Sequence, residues 1–531
     1  MTILSFKLKK VRDLMCMSAV IAMTACGGTA SSSGESKDVV VEDDSTLVKK
    51  VLLPLPDTAY KSAEIVKYRI DVPDTTISGD IKSLVDLYAD TPGTFTFRKG
   101  GMRQADFGGV INGTPSEISV DWEFITDIDN RETKMGTWGG GSGWTGQPLY
   151  VNWPDSTLKK FAHAGINCPN QEIIVGSLAS KVYFIDYNTG KKSRPAVDVF
   201  NPIKGTISLD PTLNGNLYVG QGIPATKPFG SLVIDLYKGM VTHTIPQDPK
   251  AQRGWQAYDS SPIRVGQFLF WPGENGTIYK YMISPGTLQL HSALRYTVDG
   301  RAPGVESSMA VYLNYGYISD NRGNIICLNL NTMKPVWRSS TGDDTDATPV
   351  IGIENGHPFI YVGSEIDLQD VGNATFLKVD GITGETVWNS KIPGRRINRD
   401  DKHFDGGFYA TALLGSGDCK NLVFSNCVTN EKGQSGDFVA LNRMTGKIEY
   451  RTRLKYYAWS SPVSLIDSKG KMYIVTGDCS GNIYVIEGLT GKILLSKRIG
   501  NNFESSPVII PGTSSLVVGS RGNSIFKITI K

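Results

Sequence analysis

A unit of short β-forming runs returns eight times along this chain, and that recurrence restricts the fold more than any other feature. The clearest copy reads SSPVSLIDSKGKMYIVTGDCSGNIYVIEGLTGKI from Ser460. It holds three strand-like runs separated by glycine-bearing turns, and a fourth run, ILLSKR, follows. Gly at such turns supplies the positive φ that other residues resist. Further copies begin at Asp259, Glu306, Asp346 and Glu504, and weaker ones near Gly146, Gly205 and Tyr409. Aligning the residue that opens the first run gives Pro148, Ile207, Pro262, Met309, Pro349, Ala412, Pro462 and Pro507, at spacings of 40 to 63 residues. Four short strands per unit at this period predict the blades of a propeller. The inner runs FIYVG, LVVGS and IYVIE are apolar on both faces, as strands with sheet packed on each side must be. The expected fold is all-β: an eight-bladed β-propeller of four-stranded antiparallel blades.

The last unit stops after its third strand. Upstream of the first lies EISVDWEFI, residues 117–125, in which Ile118, Val120, Trp122 and Phe124 alternate with Ser119, Asp121 and Glu123. Alternation of this kind marks a half-buried outer strand. It is predicted to complete the last blade beside Ser524–Ile530 and so to close the ring, which removes the open edges that invite aggregation. The recurring Thr-Gly-Lys is then a hairpin turn. Without a preceding GxxxxG it carries no weight as a phosphate loop.

The first 25 residues read as a secretion signal. Lys7, Lys9, Lys10 and Arg12 precede an apolar stretch over 14–25 that is too short to span a bilayer. MTAC and the Ser/Gly-rich run after it resemble a bacterial lipoprotein signal, with Cys26 as the lipidated residue; the alternative is a plain secretory signal. Gly27 favours an outer membrane where one exists. The expected localisation is extracytoplasmic, lipid-anchored to the cell membrane or outer membrane. Removing residues 1–25 takes the formal charge from +3 to 0, which argues against nucleic acid as a partner. No later segment is apolar for eighteen residues. Residues 26–93 are expected to form a lipidated flexible tether, with a short amphipathic helix over 79–89 that presents Ile81, Leu84, Val85 and Tyr88 on one face and is capped by Ser78 or Gly79. The propeller is expected over 94–531. Of seven cysteines, five follow Cys26 without a CxxC pair, so buried free thiols are expected over a disulfide framework. The five histidines show no metal-ligand spacing.

In a four-stranded blade, the loops between strands two and three and those between blades share one face. The long insertions fall there: 221–230, 364–375, 391–408 and 426–437. Aromatic residues crowd the inter-blade loops just ahead of the inner strand. Trp144, Trp255, Tyr258, Phe408, Tyr409, Tyr457 and Trp459 are therefore candidates for a ligand or partner site at the channel mouth, with Arg253, Asp259, His403 and Asp405 close by. Rings with a few convergent polar groups suit a sugar, a peptide or an aromatic ligand. The alternative is that the rings wedge between blades.

TGETVW (Thr383 to Trp388), NTMKPVW (Asn331 to Trp337) and the opening TFTFRKGGMRQADFGG over 94–109 resemble the PQQ-like, quinoprotein-type β-propeller repeat. The resemblance covers roughly 94–531. It implies the fold and leaves two functions open. The lipoprotein branch resembling BamB-like outer-membrane assembly lipoproteins implies a non-catalytic, lipid-anchored scaffold, without cofactor, that binds a protein partner or an extracellular glycan. The alternative is a PQQ-dependent oxidoreductase (dehydrogenase) using the propeller channel with PQQ and calcium. The vicinal Cys-Cys pair of several alcohol dehydrogenases of that family is missing here. No catalytic residue and no metal ligand is assigned from sequence. A polysaccharide lyase or hydrolase would need paired acids that spacing alone does not reveal.

Overall fold

The computed structural model describes residues 53–531 except 75, 77, 78, 400 and 401. The signal, Cys26, the 27–50 tether and Ser78 lie outside the described residues. Eight antiparallel sheets succeed one another along the chain, the first seven with their four core strands in sequence order. Numbered by their opening residues, the blades start their inner strands one residue after Pro148, Ile207, Pro262, Met309, Pro349, Ala412, Pro462 and Pro507, at Leu149, Ser208, Ile263, Ala310, Val350, Leu413, Val463 and Val508. Apolar strands buried on both faces make the second and third rows, such as Met472–Gly477 and Asn324–Asn329. Blade 8 is completed as expected. Ile118–Ile125 pairs antiparallel with Ser524–Ile530, with Ile118 opposite Ile530 and Trp122 opposite Lys527.

The Thr-Gly turns are explained by what they touch. At four seams an aromatic ring on the outer strand of one blade lies flat against the turn glycine of the next. The pairs are Trp122 on Gly190, Trp337 on Gly384, Trp388 on Gly446 and Tyr450 on Gly491. A Cβ on any of these glycines would sit 2.4 to 2.7 Å from ring carbon. Each ring also donates a hydrogen bond to a carbonyl of the neighbouring blade: Trp122 to Tyr187, Trp337 to Gly381, Trp388 to Arg443 and Tyr450 to Gly488, at 2.5 to 3.1 Å. The seam between blades 8 and 1 uses the Trp122 that precedes blade 1 in sequence. Ring closure therefore repeats the contact that joins ordinary neighbours.

The stretch expected to be tether is docked from residue 53 onward. The Asn314 side chain of blade 4 bonds both the N–H and the carbonyl of Leu55. Val66–Asp71 adds a fifth strand to blade 3 beside Thr287–Val298. The helix expected over 79–89 is not formed; the segment runs through bends and turns. Its backbone donors are taken by side chains, Ile81 N–H by Asn331, Lys82 by Gln267, Val85 by Ser83 and Tyr88 by Asp86. Such bonds compete with a helix for the same groups. Ile81 and Tyr88 are nonetheless buried, while Val85 is exposed. The one α-helix among the described residues is Asp155–His163, within the long excursion of blade 1.

Residues 93–112 thread the channel from the face opposite the long loops. Gly93–Thr94 pairs with blade 1, and the Phe95 carbonyl accepts from Leu209 of blade 2. Gly101 and Met102 bond Val311 and Ile351 of blades 4 and 5, and Val110–Ile111 runs parallel to the inner strand of blade 7. Arg98 donates to the carbonyls of Ala412 and Pro462, and Arg103 to those of Met309 and Ser261. Both guanidiniums are at most 1% exposed, and burial lowers them, Arg98 to about 9 and Arg103 to about 10. Carbonyl dipoles rather than carboxylates solvate these charges. The channel is thereby plugged from one side. The five described cysteines are free, and four are buried.

The seam geometry makes a prediction within one blade. Gly356 and Gly384 have φ of +80° and +77°, but a Cβ on Gly356 meets nothing, whereas one on Gly384 meets Trp337. Gly356→Ala should cost about 1 kcal/mol through its φ alone. Gly384→Ala should cost clearly more in urea unfolding. Equal losses would show that the ring contact is not what requires glycine.

Candidate functional site

Three residues before each opening position, the repeat carries one side chain per blade toward the mouth: Thr145, Lys204, Asp259, Glu306, Asp346, Tyr409, Trp459 and Glu504. Members of this set meet around the axis. The Lys204 ammonium pairs with Asp259 and lies 3.7 Å from Glu306. The Tyr409 and Trp459 rings are 4.9 Å apart. Glu504 is paired with Arg521 at 3.3 Å. The mouth is thus divided into a charged arc from blade 2 to blade 5 and an aromatic arc over blades 6 and 7.

Two carboxylate triads build the charged arc. Asp259, Glu274 and Glu306 bring ligand oxygens within 4.8 Å of one another, and so do Asp344, Asp346 and Glu365. In each, two acids come from the inter-blade loops and one from the strand two to three loop. Close backbone approach fixes them. A Cβ on Gly205 would strike the Asp259 carbonyl at 1.9 Å, and the Glu365 N–H bonds the Asp344 carbonyl at 2.8 Å. Glu274 accepts from the Trp255 indole at 2.5 Å, and the Tyr409 hydroxyl partners Glu365. Asp259 Oδ1, Glu274 Oε1, Asp344 Oδ1 and Glu365 Oε1 are buried without a hydrogen-bond partner. Burial, then mutual repulsion, pushes Asp344 up to about 8 and Glu274, Asp346 and Glu365 well above the usual range. Burial also raises Asp259, but Lys204 opposes it and holds it to about 6. Donors made only of carboxylate oxygen fit a hard divalent cation.

The Trp144 indole reaches across from blade 1 to donate to the Tyr409 carbonyl of blade 6 at 3.3 Å, so it lies over the channel. Beside it Phe404, Tyr409, Tyr457 and Trp459 form one cluster, in which Phe404 and Trp459 stack at 15°. Of the residues singled out from sequence, Trp144, Tyr409, Tyr457 and Trp459 come together in this arc, and Trp255 and Asp259 meet at Glu274. Tyr258 and Phe408 are buried between blades, against Gly220 with Gly273 and against Gly363. Arg253 bonds Asn321 at 3.1 Å. Exposed His403 bonds Asn398 on the hairpin of Ile397–Arg399 and Lys402–Phe404. Asp405 lies 4.0 Å from Arg396 and is raised to about 6 by burial and by Asp367.

Lys204, Glu274, Glu306, Asp344, Asp346 and Glu365 are not marked by any spacing of acids or by a motif. The signal lay in the repeat itself. An acid stands three residues ahead of the opening position in four units, and a closed ring turns equivalent positions into neighbours.

No protein-family model and no curated protein sequence matches the chain. Solved structures do. Europium-containing methanol dehydrogenase aligns with a TM-score of 0.55 at 12% identity, over 84% of this chain and 99% of that one. Quinohemoprotein alcohol dehydrogenase from Comamonas testosteroni aligns with a TM-score of 0.57 at 12% identity, over 83% and 81%. BamB from Moraxella catarrhalis gives 0.48 at 14%, over 78% and 100%. The likeness is one of fold. The chain is an eight-bladed propeller of the architecture found in quinoprotein dehydrogenases, at low identity. No helix among the described residues is long and apolar enough to cross a membrane.

The raised carboxyls fix a sign for pH dependence. Asp259 and Asp344 hold protons in the fold at pH values where the unfolded chain has released them. The stability they contribute is full below about pH 4 and is lost as pH rises through 6 to 8. With divalent ions chelated, the melting temperature should fall between pH 5 and 9, and Asp344→Asn should flatten the upper part of that fall. A melting temperature that rises over this window would contradict the assignment.

Proposed function

We propose that this chain is a quinone-dependent oxidoreductase that works at the mouth of the channel, outside the cell membrane. The observation that carries the reading is the pair of carboxylate triads, in which Asp259, Glu274 and Glu365 are buried and Glu306, Asp344 and Asp346 half-buried. Buried acids with unpaired oxygens are costly in a fold and cluster where a site needs them. A purely structural propeller has no use for four unpaired carboxylate oxygens at one mouth. The triads supply oxygen ligands for a divalent cation. Arg253, which lies against Gly304 beside the Glu274 carbonyl, would offer positive charge to a carboxylated quinone, and Trp144, Trp255 and Trp459 would offer rings. A bound ortho-quinone supplies two-electron oxidising capacity. The chain's own part is to orient the ligand and take a proton. Asp259, raised by burial to about 6 with Lys204 opposing, is suited to accept a hydroxyl proton close to neutral pH. The shared fold of the dehydrogenases supports the reading as analogy.

Reconstitution tests it. Purified protein given PQQ and calcium should retain a quinone chromophore through gel filtration and reduce an artificial electron acceptor with an alcohol or aldose panel. Glu365→Gln should abolish the reduction. Neither chromophore nor reduction would remove the enzyme reading.

A second reading, the non-catalytic lipid-anchored scaffold, is favoured by the aromatic arc. Its four clustered rings and the unpaired Trp459 indole N–H form a platform of the kind that glycans and peptides stack on. Replacing Trp255 and Trp459 together with Ala should then abolish glycan or partner capture and leave the fold closed.

A further inference from the structure

The seam between blades 2 and 3 is not among the four that an aromatic ring closes on a glycine. There the turn glycine of blade 3, Gly286, faces Thr242 of blade 2, whose hydroxyl donates to the Gly286 carbonyl at 2.8 Å. Toward the long-loop face the same seam opens into a pocket of about 360 Å³, a volume typical of small-molecule sites. One wall is the end of Met240–Pro246 with the loop after it, and the other is Thr277–Ser284 with Thr287–Val298. Asp71 and the two residues after it form the outer rim. On the blade 3 wall the rings of Tyr279 and Tyr281 stack at 19° with centroids 5.7 Å apart, and Leu290 and, opposite, Pro246 add apolar surface. The polar groups gather around Arg295, which is 2% exposed. It donates to Asp248 at 2.7 Å, and the Tyr279 hydroxyl donates to the same carboxylate at 2.8 Å. Arg295 Nε and Asp71 Oδ2 are 2.9 Å apart but out of line for a hydrogen bond, so both are buried without a hydrogen-bond partner. Tyr281 is 3% exposed, and its hydroxyl has no hydrogen-bond partner among the described residues.

We propose that this pocket binds a neutral sugar, one pyranose unit, at a site separate from the channel mouth. Three observations select that chemistry. The charged residues that line it are Asp71, Asp248, Lys250 and Arg295, two acids against two bases, so no net field favours an ion. Arg295 is already paired with both carboxylates, which removes the free guanidinium that an anionic ligand needs. A wholly apolar ligand such as an acyl chain would leave Asp71 Oδ2, Arg295 Nε and the Tyr281 hydroxyl dry and unpaired. A pyranose suits both kinds of lining. Its C–H face matches tyrosine, proline and leucine surface. Its hydroxyls both donate and accept, so one ring can serve a carboxylate oxygen, a guanidinium N–H and a phenol together. The inference rests on neither reading of the mouth, because none of these residues belongs to the carboxylate triads or to the aromatic arc.

Saturation-transfer NMR on the full chain tests it, with glucose, galactose, mannose, N-acetylglucosamine and xylose as probes and with glucuronate and decanoate as anionic and apolar competitors. At least one of the neutral sugars should receive magnetisation from the protein, and neither competitor should displace it. Tyr281→Phe keeps the stacked ring and removes one hydroxyl, and it should weaken that sugar about threefold to tenfold. Val72 lines the pocket at its exposed rim, so Val72→Trp should obstruct entry and abolish the signal at an unchanged melting temperature. Should that variant fold poorly, Tyr281→Phe decides alone. Replacing Trp255 and Trp459 together with Ala should leave the signal in place. The proposal is overturned if none of the neutral sugars binds, if glucuronate or decanoate displaces a bound one, or if Tyr281→Phe leaves the affinity unchanged. It is overturned too if the Trp255 and Trp459 replacement abolishes all sugar binding, which would move the sugar to the mouth.

Discussion

An aromatic ring lying on a glycine of the next sheet joins the blades at four of the eight seams, and the closure of the propeller depends on one of them. Antiparallel blades bury both faces only against neighbours, and neighbours must meet at a constant angle if eight are to close. The flat ring sets the spacing, the missing Cβ admits it, and one hydrogen bond from the ring to a neighbouring carbonyl fixes its orientation. Where the ring is Tyr450 instead of Trp the arrangement survives, because a phenol reaches a carbonyl as an indole does. Trp122 shows that the contact is indifferent to chain order: it makes the same seam with a strand borrowed from the other end of the propeller.

The centre is organised by a different principle. A channel through eight blades would be lined by backbone groups at the start of every inner strand. Here a segment from before the propeller fills it. Arg98 satisfies carbonyls of blades 6 and 7 and Arg103 carbonyls of blades 3 and 4, so each ties two neighbouring blades through one side chain. Guanidinium suits such bridging, since its donors diverge in a plane and reach carbonyls that no single hydroxyl or amide could span. The plug leaves the long-loop face as the open end, and it is there that acids and rings are gathered.

Much of this was legible in the residues. The opening positions located every inner strand, because glycine turns and doubly apolar runs leave a strand few alternatives. The alternation around Trp122 was equally direct. The segment 79–89 misled because its apolar spacing suits a helix; periodicity does not reveal that Asn331 and Gln267, far away in sequence, claim its N–H groups. The site was half visible. Aromatics stand out in a loop, and several of them do line the mouth, whereas Tyr258 and Phe408 fill gaps between blades that only three-dimensional packing defines. The acids were harder, since Glu274 and Glu365 come from a different loop of the blade than their partners. No linear spacing joins residues that a closed ring makes adjacent.

The strand Ile118–Ile125 has its partner about four hundred residues away. During synthesis it is made early and must wait, with one apolar edge uncovered, until nearly everything else exists. Seven sheets can stack as their strands appear, but the circle shuts only in a final, single act of pairing. Until then the nascent molecule is an open crescent whose two raw ends would accept a strand from any other copy. Those ends must stay apart from strangers for that interval.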